Sequence, residues 1–421
     1  MNWPMNWQSA RSVLCVRLDN MGDVLMSTPA MQALAESLPG RRLTLLTSHS
    51  AAALAPHLPM VSRVLAWDAP WAKHAEAQAA PAPAPAPGPE IAACARWLAR
   101  FRFDAAVIFT VYSQSPLPAA MLCALAGIPL RLACCRENPY TLLSDWVPDT
   151  EPDTQRGQRP RHEAQRQLDL VARVGAAAHD THLRFRVLAA DRAAVAARLA
   201  AIRGGRSGPV VVVHPGASAP SRRWPPARFA QVAHALAVKA GAHVLVTGDA
   251  AEHDIVRAVC AAAGHARVVP LAGALCLGEM GALLEAADLL VSNNTGPVHL
   301  AAALGTPVVD LYALTNPQHT PWQVPHRTLF ADVPCRYCYK SMCPQGHHRC
   351  LEDVPAAHAV QAALALLGGN ADSMPAVELP WPGLAAAAAA PDAFAAVPAM
   401  PHDRAPRHLP HDEADHVHPW H

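Results

Sequence analysis

Short β-rich apolar runs alternate along the chain with longer stretches in which apolar residues recur at the spacing of an amphipathic helix. In the first half, the apolar runs cover residues 12–18, 42–48, 63–68 and 104–110, and helical periodicity covers 24–38, 91–102 and 162–176. In the second half, the apolar runs cover 209–215, 243–249, 267–273, 288–294 and 307–313, with helical stretches between them. Strands that alternate with helices favour parallel sheets with crossover helices, so the pattern predicts an α/β protein.

The alternating pattern divides into two halves and is followed by a tail of different composition. We expect an N-terminal α/β domain over 1–185 and a C-terminal one over 186–369, because a Gly- and Arg-rich segment at 202–209 precedes the second set of strands. The Ala/Pro alternation at 75–90 predicts an extended surface insertion, and the Ala-, Pro- and His-rich residues 370–421 predict a disordered tail. Two α/β domains in tandem leave a cleft, and open sheets bind ligands beyond the carboxyl ends of their strands.

Composition restricts the possible partners. The 421 residues include 34 Lys and Arg against 33 Asp and Glu, so the near-zero net charge argues against bulk binding to nucleic acid or to an anionic membrane. The N-terminus lacks the pattern of a signal peptide, and no apolar run has the character of a membrane-spanning helix. The sequence therefore predicts a cytoplasmic protein with at most peripheral membrane contact. Several of the eleven cysteines stand apart in apolar runs, which predicts reduced, buried thiols rather than a disulfide framework.

The segment VSNNTGPVHLAAALGTPVV (291–309) interrupts two apolar runs with small polar residues. It predicts a strand, a loop containing Asn294, Thr295 and Gly296, and a helix that carries His299 in its first turn. Free backbone N–H groups and the positive end of the helix dipole meet at such a point, which suits a phosphate group. Gly296 allows close approach to the backbone, and the side chains of Thr295 and His299 share a helix face. An ordinary helix cap that leads into a core helix explains the same residues.

A second loop lies in residues 212–236, where a strand ends near Gly216 and small residues lead to a helix. It offers the hydroxyl of Ser218 and the guanidinium groups of Arg222 and Arg223. A guanidinium group matches a diphosphate in charge and in fork geometry. The alternative is that one or both arginines are simply solvated.

Two other loops each offer a carboxylate. In 246–254, Glu252 either accepts hydrogen bonds from a ribose or caps the following helix. In 16–40, Asp23 follows a first strand in a loop with a single glycine, Gly22, and this pattern is not a dinucleotide-binding fingerprint. Asp23 faces the expected cleft, where it either caps its helix or removes a proton from a bound hydroxyl group.

Three motifs together resemble glycosyltransferase family 9, the ADP-heptose:lipopolysaccharide heptosyltransferases. They are G-D-V-L followed by P-A (Gly22 to Leu25, Pro29 and Ala30), H-P-G-A followed by R-R-W-P (His214 to Ala217, Arg222 to Pro225), and N-T-G-x-x-H-L-A-A-A-L-G-T-P (Asn294 to Pro307). The resemblance spans roughly residues 11–368 apart from the Pro/Ala insertion. It implies a GT-B fold, in which two Rossmann-like domains with parallel sheets face a central cleft.

The resemblance also implies an inverting reaction that needs no metal or other cofactor, with the acceptor on the N-terminal domain and the nucleotide sugar mainly on the C-terminal one. By this likeness Asp23 is the general base. The implied donor contacts are Thr295, Gly296 and His299 for the diphosphate, Ser218 and Arg222 as further donor-holding residues, and Glu252 for the ribose, with Gly216 and Asn294 in the same motifs. The chain departs from the family in having Asn294 where Asp is typical and Arg222 where Lys is usual, and both changes bear on the donor-sugar contacts.

A cysteine cluster, CRYCYKSMCPQGHHRC (335–350), stands apart from these loops. Its four thiols, Cys335, Cys338, Cys343 and Cys350, are separated by two, four and six residues. Four cysteines in one irregular loop are typical of a structural zinc site and occur also at iron–sulfur clusters, while reduced thiols without a metal explain the spacing as well. Zinc with four thiolate ligands has no open position, so we expect no catalytic role for this cluster.

The function that we expect is transfer of a heptose from ADP-heptose to a lipopolysaccharide core or related glycan acceptor. A different nucleotide-sugar donor, or a nucleotide-sugar epimerase of the same two-domain type, is the alternative within the fold. A catalytically idle binding module that uses the cysteine cluster to dock a partner is the alternative outside enzyme chemistry.

Overall fold

A computed structural model of the protein describes residues 6–72, 88–150 and 160–369. The predicted tail, 370–421, and most of the predicted Pro/Ala insertion lie outside these residues. The insertion was predicted to extend to residue 90, but residues 88–90 already form the first turn of a helix. The reason is that Pro89 occupies the first turn of this helix, where the missing N–H group costs nothing.

The first half of the chain forms a parallel sheet of six strands in the order β3-β2-β1-β4-β5-β6. The strands are β1 (Ser12–Val16), β2 (Arg42–Thr47), β3 (Val61–Ala66), β4 (Ala105–Ile108), β5 (Leu130–Cys135) and β6 (Asp145–Pro148). The helices of this half are α1 (Met21–Glu36), α2 (Gly88–Ala99), α3 (Leu117–Leu125) and α4 (Glu163–Ala172). All residues of β1 after Ser12 are buried, as expected for a central strand that is covered on both faces.

The second half forms another parallel sheet of six strands, in the order β12-β11-β10-β7-β8-β9. The strands are β7 (Val210–His214), β8 (His243–Gly248), β9 (Val268–Ala272), β10 (Leu289–Asn293), β11 (Val308–Leu311) and β12 (His326–Leu329). The helices are α5 (Ala189–Arg203), α6 (Pro226–Lys239), α7 (His253–Ala263), α8 (Leu277–Glu285), α9 (Gly296–Leu304), α10 (Arg349–Glu352) and α11 (Ala356–Leu367).

The nine predicted strands are present, and the α/β prediction is confirmed. Three strands were missed. β6 has the sequence DWVP, contains a proline and alternates in burial as an edge strand does. β12, HRTL, is also an edge strand and is largely polar, while β5 begins with half-buried residues before its buried second part. Edge positions thus explain two of the three omissions.

The two halves pack against each other mainly through α1. This helix packs against α4 and also against α9 of the second half. Buried apolar residues of both halves accordingly form one continuous cluster, which includes Leu25 and Leu34 of the first half and Val298 and Leu300 of the second. The N-terminal turns of α1 and α9 therefore face one another across the cleft.

Within the described ranges, no helix is both long enough and apolar enough to cross a bilayer.

Candidate active site

A cavity of about 470 Å³ lies between the two halves. It lies at the edge of each sheet that is formed by the carboxyl ends of the strands. Its walls come from the loops after β1, β7, β8 and β10, as expected for parallel sheets that share a cleft. Of the nine residues predicted to form the site, seven line it: Asp23, Ser218, Arg222, Glu252, Thr295, Gly296 and His299. The structure thus brings these seven residues to one cavity, and their roles in binding and catalysis stay predictions.

Asp23 both caps its helix and lines the cavity, so the two alternatives for this residue are compatible. Its Oδ2 accepts a hydrogen bond from the backbone N–H of Asn20 at 3.3 Å, within a capping box at the start of α1. Its Oδ1 lies 3.4 Å from a guanidinium nitrogen of Arg17. Burial raises the pKa of Asp23 and Arg17 opposes this rise, so the carboxylate is a stronger base than an exposed aspartate.

Arg17 is a residue of the site that the sequence did not reveal. Its side chain is fully buried and contacts three carboxylates: Asp19 at 3.1 Å, Asp23 at 3.4 Å and Glu163 at 3.0 Å. Although burial favours the neutral acid, Arg17 and Arg166 hold the pKa of Glu163 below its usual value. Glu163 therefore stays ionised, and its carboxylate contacts the same guanidinium group as Asp23, the candidate base.

The start of α9 forms the opposite wall. Thr295 precedes the helix in extended conformation, and Gly296 and Pro297 occupy its first turn. His299 is only 4% exposed, and its Nδ1 has no hydrogen-bond partner among the described residues. Burial lowers the pKa of His299 well below its usual value, so the neutral ring offers a hydrogen bond rather than a charge. His299 lines the cavity as a neutral ring, and its Nδ1 is a buried polar atom without a protein partner in the described part of the chain.

Arg222 and Arg223 have separate roles. Arg223 donates from its Nε to the carbonyl of Ala217 at 2.7 Å and so holds the loop in place. Arg222 lines the cavity and makes no ion pair with any described residue, which leaves its charge available for an anion. The backbone of this loop is fixed from β10, because the buried Asn293 donates to the carbonyl of Pro215 and accepts from the N–H of Trp224.

Two predicted donor contacts, Gly216 and Asn294, are not among the residues that line the cavity. Asn294 is buried and donates from its amide to Asp310 at 3.0 Å and to the carbonyl of His319 at 2.9 Å. The reason is that the loop after β10 bends Asn294 into the domain, so it stabilises the neighbouring loop instead of contacting a ligand directly. Gly216 is also buried, and a Cβ there would lie 1.8 Å from a carboxylate oxygen of Glu252. Its missing side chain makes room for Glu252 rather than for a phosphate.

Glu252 is held at the cavity wall. Its Oε2 accepts from the backbone N–H of Asp249 at 3.0 Å and lies 3.8 Å from the ring Nε2 of His214. No side-chain cap hydrogen bond joins it to α7, so capping does not explain its position. Leu275 and Met280 add an apolar surface to the same end of the cavity.

Gly22 brings the two halves into contact. A Cβ at this position would lie 2.8 Å from Cδ2 of His299, a separation that real Cβ atoms essentially never show. We therefore expect Gly22→Ala to push the start of α1 away from α9. The expected result is a loss of about tenfold or more in kcat/KM for sugar transfer, because a small displacement of the reacting groups slows a reaction strongly. Steady-state kinetics measures this effect.

Gly88→Ala is the matched control, because nothing lies within 4 Å of the added Cβ and the position is not constrained to positive φ. Equal activity of the Gly22 and Gly88 variants would contradict the close contact between the two helix starts.

The cysteine cluster lies beside the Arg222 loop and contributes no residue to the cavity wall among the described residues. Within the cluster, the backbone carbonyls of Lys340 and Ser341 accept hydrogen bonds from Ser221. Tyr339 packs against Tyr112 of the first half. The charges of its thiols influence one another, and the Sγ of Cys335 lies 3.6 Å from His347 Nε2. Yet among the described residues no three His, Cys, Asp or Glu side chains are arranged to hold a metal ion.

The chain is similar to known proteins over much of its length. The family model for glycosyltransferase family 9 (heptosyltransferase) matches residues 97–348. Lipopolysaccharide heptosyltransferase 2 of Escherichia coli K12 is 30% identical over 165 residues, which are 38% of this chain and 47% of that protein. The chain thus spans about half the length of the curated relative that it matches.

Two solved structures share the architecture. The E. coli ADP-heptose lipopolysaccharide heptosyltransferase II has a TM-score of 0.65 at 21% identity, covering 85% of this chain and 99% of that one. A family 9 glycosyl transferase from Veillonella parvula has a TM-score of 0.67 at 18% identity, covering 87% of this chain and 99% of that one. Likeness at this level of identity bears on the fold, and the expected GT-B fold is confirmed.

Proposed function

The chain belongs to glycosyltransferase family 9, and we propose that it transfers a heptose from ADP-heptose to a lipopolysaccharide core or related glycan acceptor, with inversion at the anomeric carbon. The observation that carries this proposal is the cavity between the halves, where Asp23 faces Arg222 and the start of α9. The matched relative is a lipopolysaccharide heptosyltransferase, and one similar structure is described by its ADP-heptose donor. The reaction would take place in the cytoplasm, with at most peripheral contact with the inner membrane.

The proposed reaction is a single displacement. An acceptor hydroxyl attacks the anomeric carbon and forms the new C–O bond while the bond from that carbon to the β-phosphate oxygen breaks. The hydroxyl proton passes to Asp23, and the electron pair of the broken bond leaves with ADP. Negative charge therefore grows on the diphosphate, where stabilisation is most effective in the transition state.

The groups around the cavity suit these charges. Arg222 and the N-terminal dipole of α9 lie on the side assigned to the diphosphate, and His299 adds a neutral donor. Glu252 suits the ribose hydroxyls, because a carboxylate accepts two hydrogen bonds. Leu275 and Met280 provide an apolar surface for the base. None of these roles requires a metal ion.

The competing functions differ in what they need from the site. An epimerase needs further acid and base residues around the sugar, and in this proposal Asp23 is the one residue assigned to that role. An idle binding module needs no base at all. Both functions need the ligand contacts of Arg222 and His299, so Asp23 distinguishes them: loss of transfer in Asp23→Asn with ADP binding retained would exclude the idle module.

A donor screen tests the proposal. Purified protein is incubated with ADP-heptose, UDP-sugars or GDP-sugars and a mixture of deacylated core oligosaccharides, and the released nucleoside diphosphate is measured. We expect release from ADP-heptose above the rate of the Asp23→Asn variant. Release only from a UDP- or GDP-sugar would mean that the protein is a transferase with a different donor. No release from any donor would contradict the proposed function.

The metal assignment of Cys335, Cys338, Cys343 and Cys350 stays a prediction. We expect about one zinc per chain, because four neighbouring thiols match its preferred tetrahedral ligand set. Elemental analysis of untagged protein truncated at residue 369 checks this, since the truncation removes the histidines of the tail as alternative metal ligands. Cys338→Ser should lower the zinc content and Cys276→Ser, at an exposed thiol outside the cluster, should not. Folded protein without zinc would disprove the site.

A further inference from the structure

Glu163, the first residue of α4, is fully buried and contacts the cation beside the candidate base. Its Oε1 accepts a hydrogen bond from Nη1 of Arg17 at 3.0 Å and another from the amide of Gln167 at 2.6 Å. It is not among the residues that line the donor cavity. We propose that Glu163 is a positioning residue, which holds Arg17 in an orientation that leaves the carboxylate of Asp23 free to take up the acceptor proton. This inference rests on the proposed function and adds to it the residue that controls the base.

The contacts of Arg17 are the first argument. Its guanidinium group meets three carboxylates, but the three contacts are not equivalent. Among the described residues, its side-chain hydrogen bond goes to Glu163, while Nε and Nη2 lie 3.1 Å from Asp19 and 3.4 Å from Asp23 without hydrogen-bond geometry. The planar group turns as one unit, so a bond at Nη1 fixes the direction of the other two nitrogens. Without Glu163, the group could turn and form a charge-assisted hydrogen bond with Asp23.

The start of α4 is the second argument, because the second half of the chain holds it in place. The backbone N–H of Glu163 donates to the carbonyl of Gln318 at 2.9 Å. The ring of His162 stacks on Trp322, with 4.5 Å between the ring centroids. Both partners lie in the segment between β11 and β12, and His319 of the same segment lines the donor cavity. Glu163 therefore connects the wall of the donor cavity to the base through Arg17.

Charge is the third argument. The charged and titratable groups around Asp23 are Arg17, Asp19 and Glu163 of the first half and Arg222, His299 and His319 across the cleft. Burial is the main cause of the raised pKa of Asp23, and Arg17 opposes it while Glu163 adds to it. Both histidines are neutral at pH 7, because burial lowers their pKa values, that of His319 to about 3. Loss of the charge of Glu163 therefore lowers the pKa of Asp23 and makes it a weaker base.

The pH dependence of kcat tests the inference. Because Asp23 acts as a base, kcat for ADP release should rise with pH through the pKa of this carboxyl group and then level off. Glu163→Gln keeps the shape of the side chain and removes its charge. We expect the rise to occur about one pH unit lower and the plateau of kcat to fall roughly three- to tenfold, since a weaker base takes up the proton less readily. The Kd of ADP should change little.

Glu163→Asp is the second variant and decides the question if Glu163→Gln does not fold. It keeps the charge but withdraws it from Arg17, so the rise should move in the same direction by a smaller amount. Asp169→Asn is the control, because this carboxylate lies on the same helix, is 39% exposed and pairs with Arg161 at the surface. It should move neither the rise nor the plateau. A rise at the unaltered pH in both Glu163 variants, or one moved to higher pH, would overturn the inference.

An NMR titration separates this inference from the proposed function. In protein that carries isotope-labelled aspartate, the carboxyl signal of Asp23 is identified by its loss in Asp23→Asn, and its shift with pH gives the pKa. We expect this pKa to fall in Glu163→Gln by the same amount as the midpoint of the kinetic profile. If no donor released a nucleoside diphosphate, the transferase proposal would fail, while the titration would still decide whether Glu163 controls this carboxyl group. An equal pKa of Asp23 with and without the charge of Glu163 would show that it does not.

Discussion

Asp23→Asn is expected to lower the rate of sugar transfer by about 10²- to 10⁴-fold, the usual contribution of a positioned general base. Asparagine has the same shape and still accepts the N–H of Asn20, so α1 should keep its start. It cannot take up the proton of the attacking hydroxyl. We expect the loss to appear in kcat measured by ADP release, while the Kd of ADP changes little.

Glu36→Gln is the matched control, because Glu36 lies exposed at the other end of the same helix. This variant should retain full activity. If Asp23→Asn transferred sugar at the normal rate, Asp23 would not be the base. If it lost ADP binding together with transfer, its role would be to hold the cleft together.

Arg222→Ala is expected to weaken ADP binding by roughly 10- to 150-fold, because a hydrogen bond to a charged group is worth about 1.5–3 kcal/mol. Arg222 lines the donor cavity, and no described carboxylate forms a salt bridge with it. Its removal therefore takes a cation away from the diphosphate without breaking a salt bridge within the described part of the protein. The loop itself should persist, since Arg223 and Asn293 hold it. Calorimetry with ADP measures the change.

Arg257→Ala removes the same charge from the surface of α7 and serves as the control for net charge. It should leave the Kd of ADP unchanged. His299→Ala should have a smaller effect than Arg222→Ala, because the neutral ring contributes a hydrogen bond of about 0.5–1.5 kcal/mol. Unaltered ADP affinity in both Arg222→Ala and His299→Ala would contradict the assignment of the diphosphate to this wall.

The parts of the site that follow local rules were predictable from the sequence. A strand, a glycine-containing loop and a helix start define where Asp23, Thr295 and Gly296 lie, because parallel strands place all such loops at one edge of the sheet. The arrangement of strands in each half was predictable for the same reason, apart from short edge strands with little apolar pattern.

Long-range contacts explain what the sequence did not reveal. Arg17 directly follows the buried strand β1, and its partner Glu163 lies 146 positions further along the chain. Asn294 is a small polar residue of the kind that often binds ligands in loops, yet its side-chain amide donates a hydrogen bond to Asp310. Gly216 was expected among the donor contacts, but the space beside it is filled by Glu252 from another loop. In each case a tertiary neighbour decides the role.

A crystal structure of the protein with ADP bound would show directly where the diphosphate lies relative to Asp23. We expect the diphosphate at the start of α9, within hydrogen-bond distance of Arg222, with the terminal phosphate turned toward Asp23 across the cleft. A diphosphate bound away from Thr295 and Gly296, or one whose terminal phosphate points away from Asp23, would contradict it.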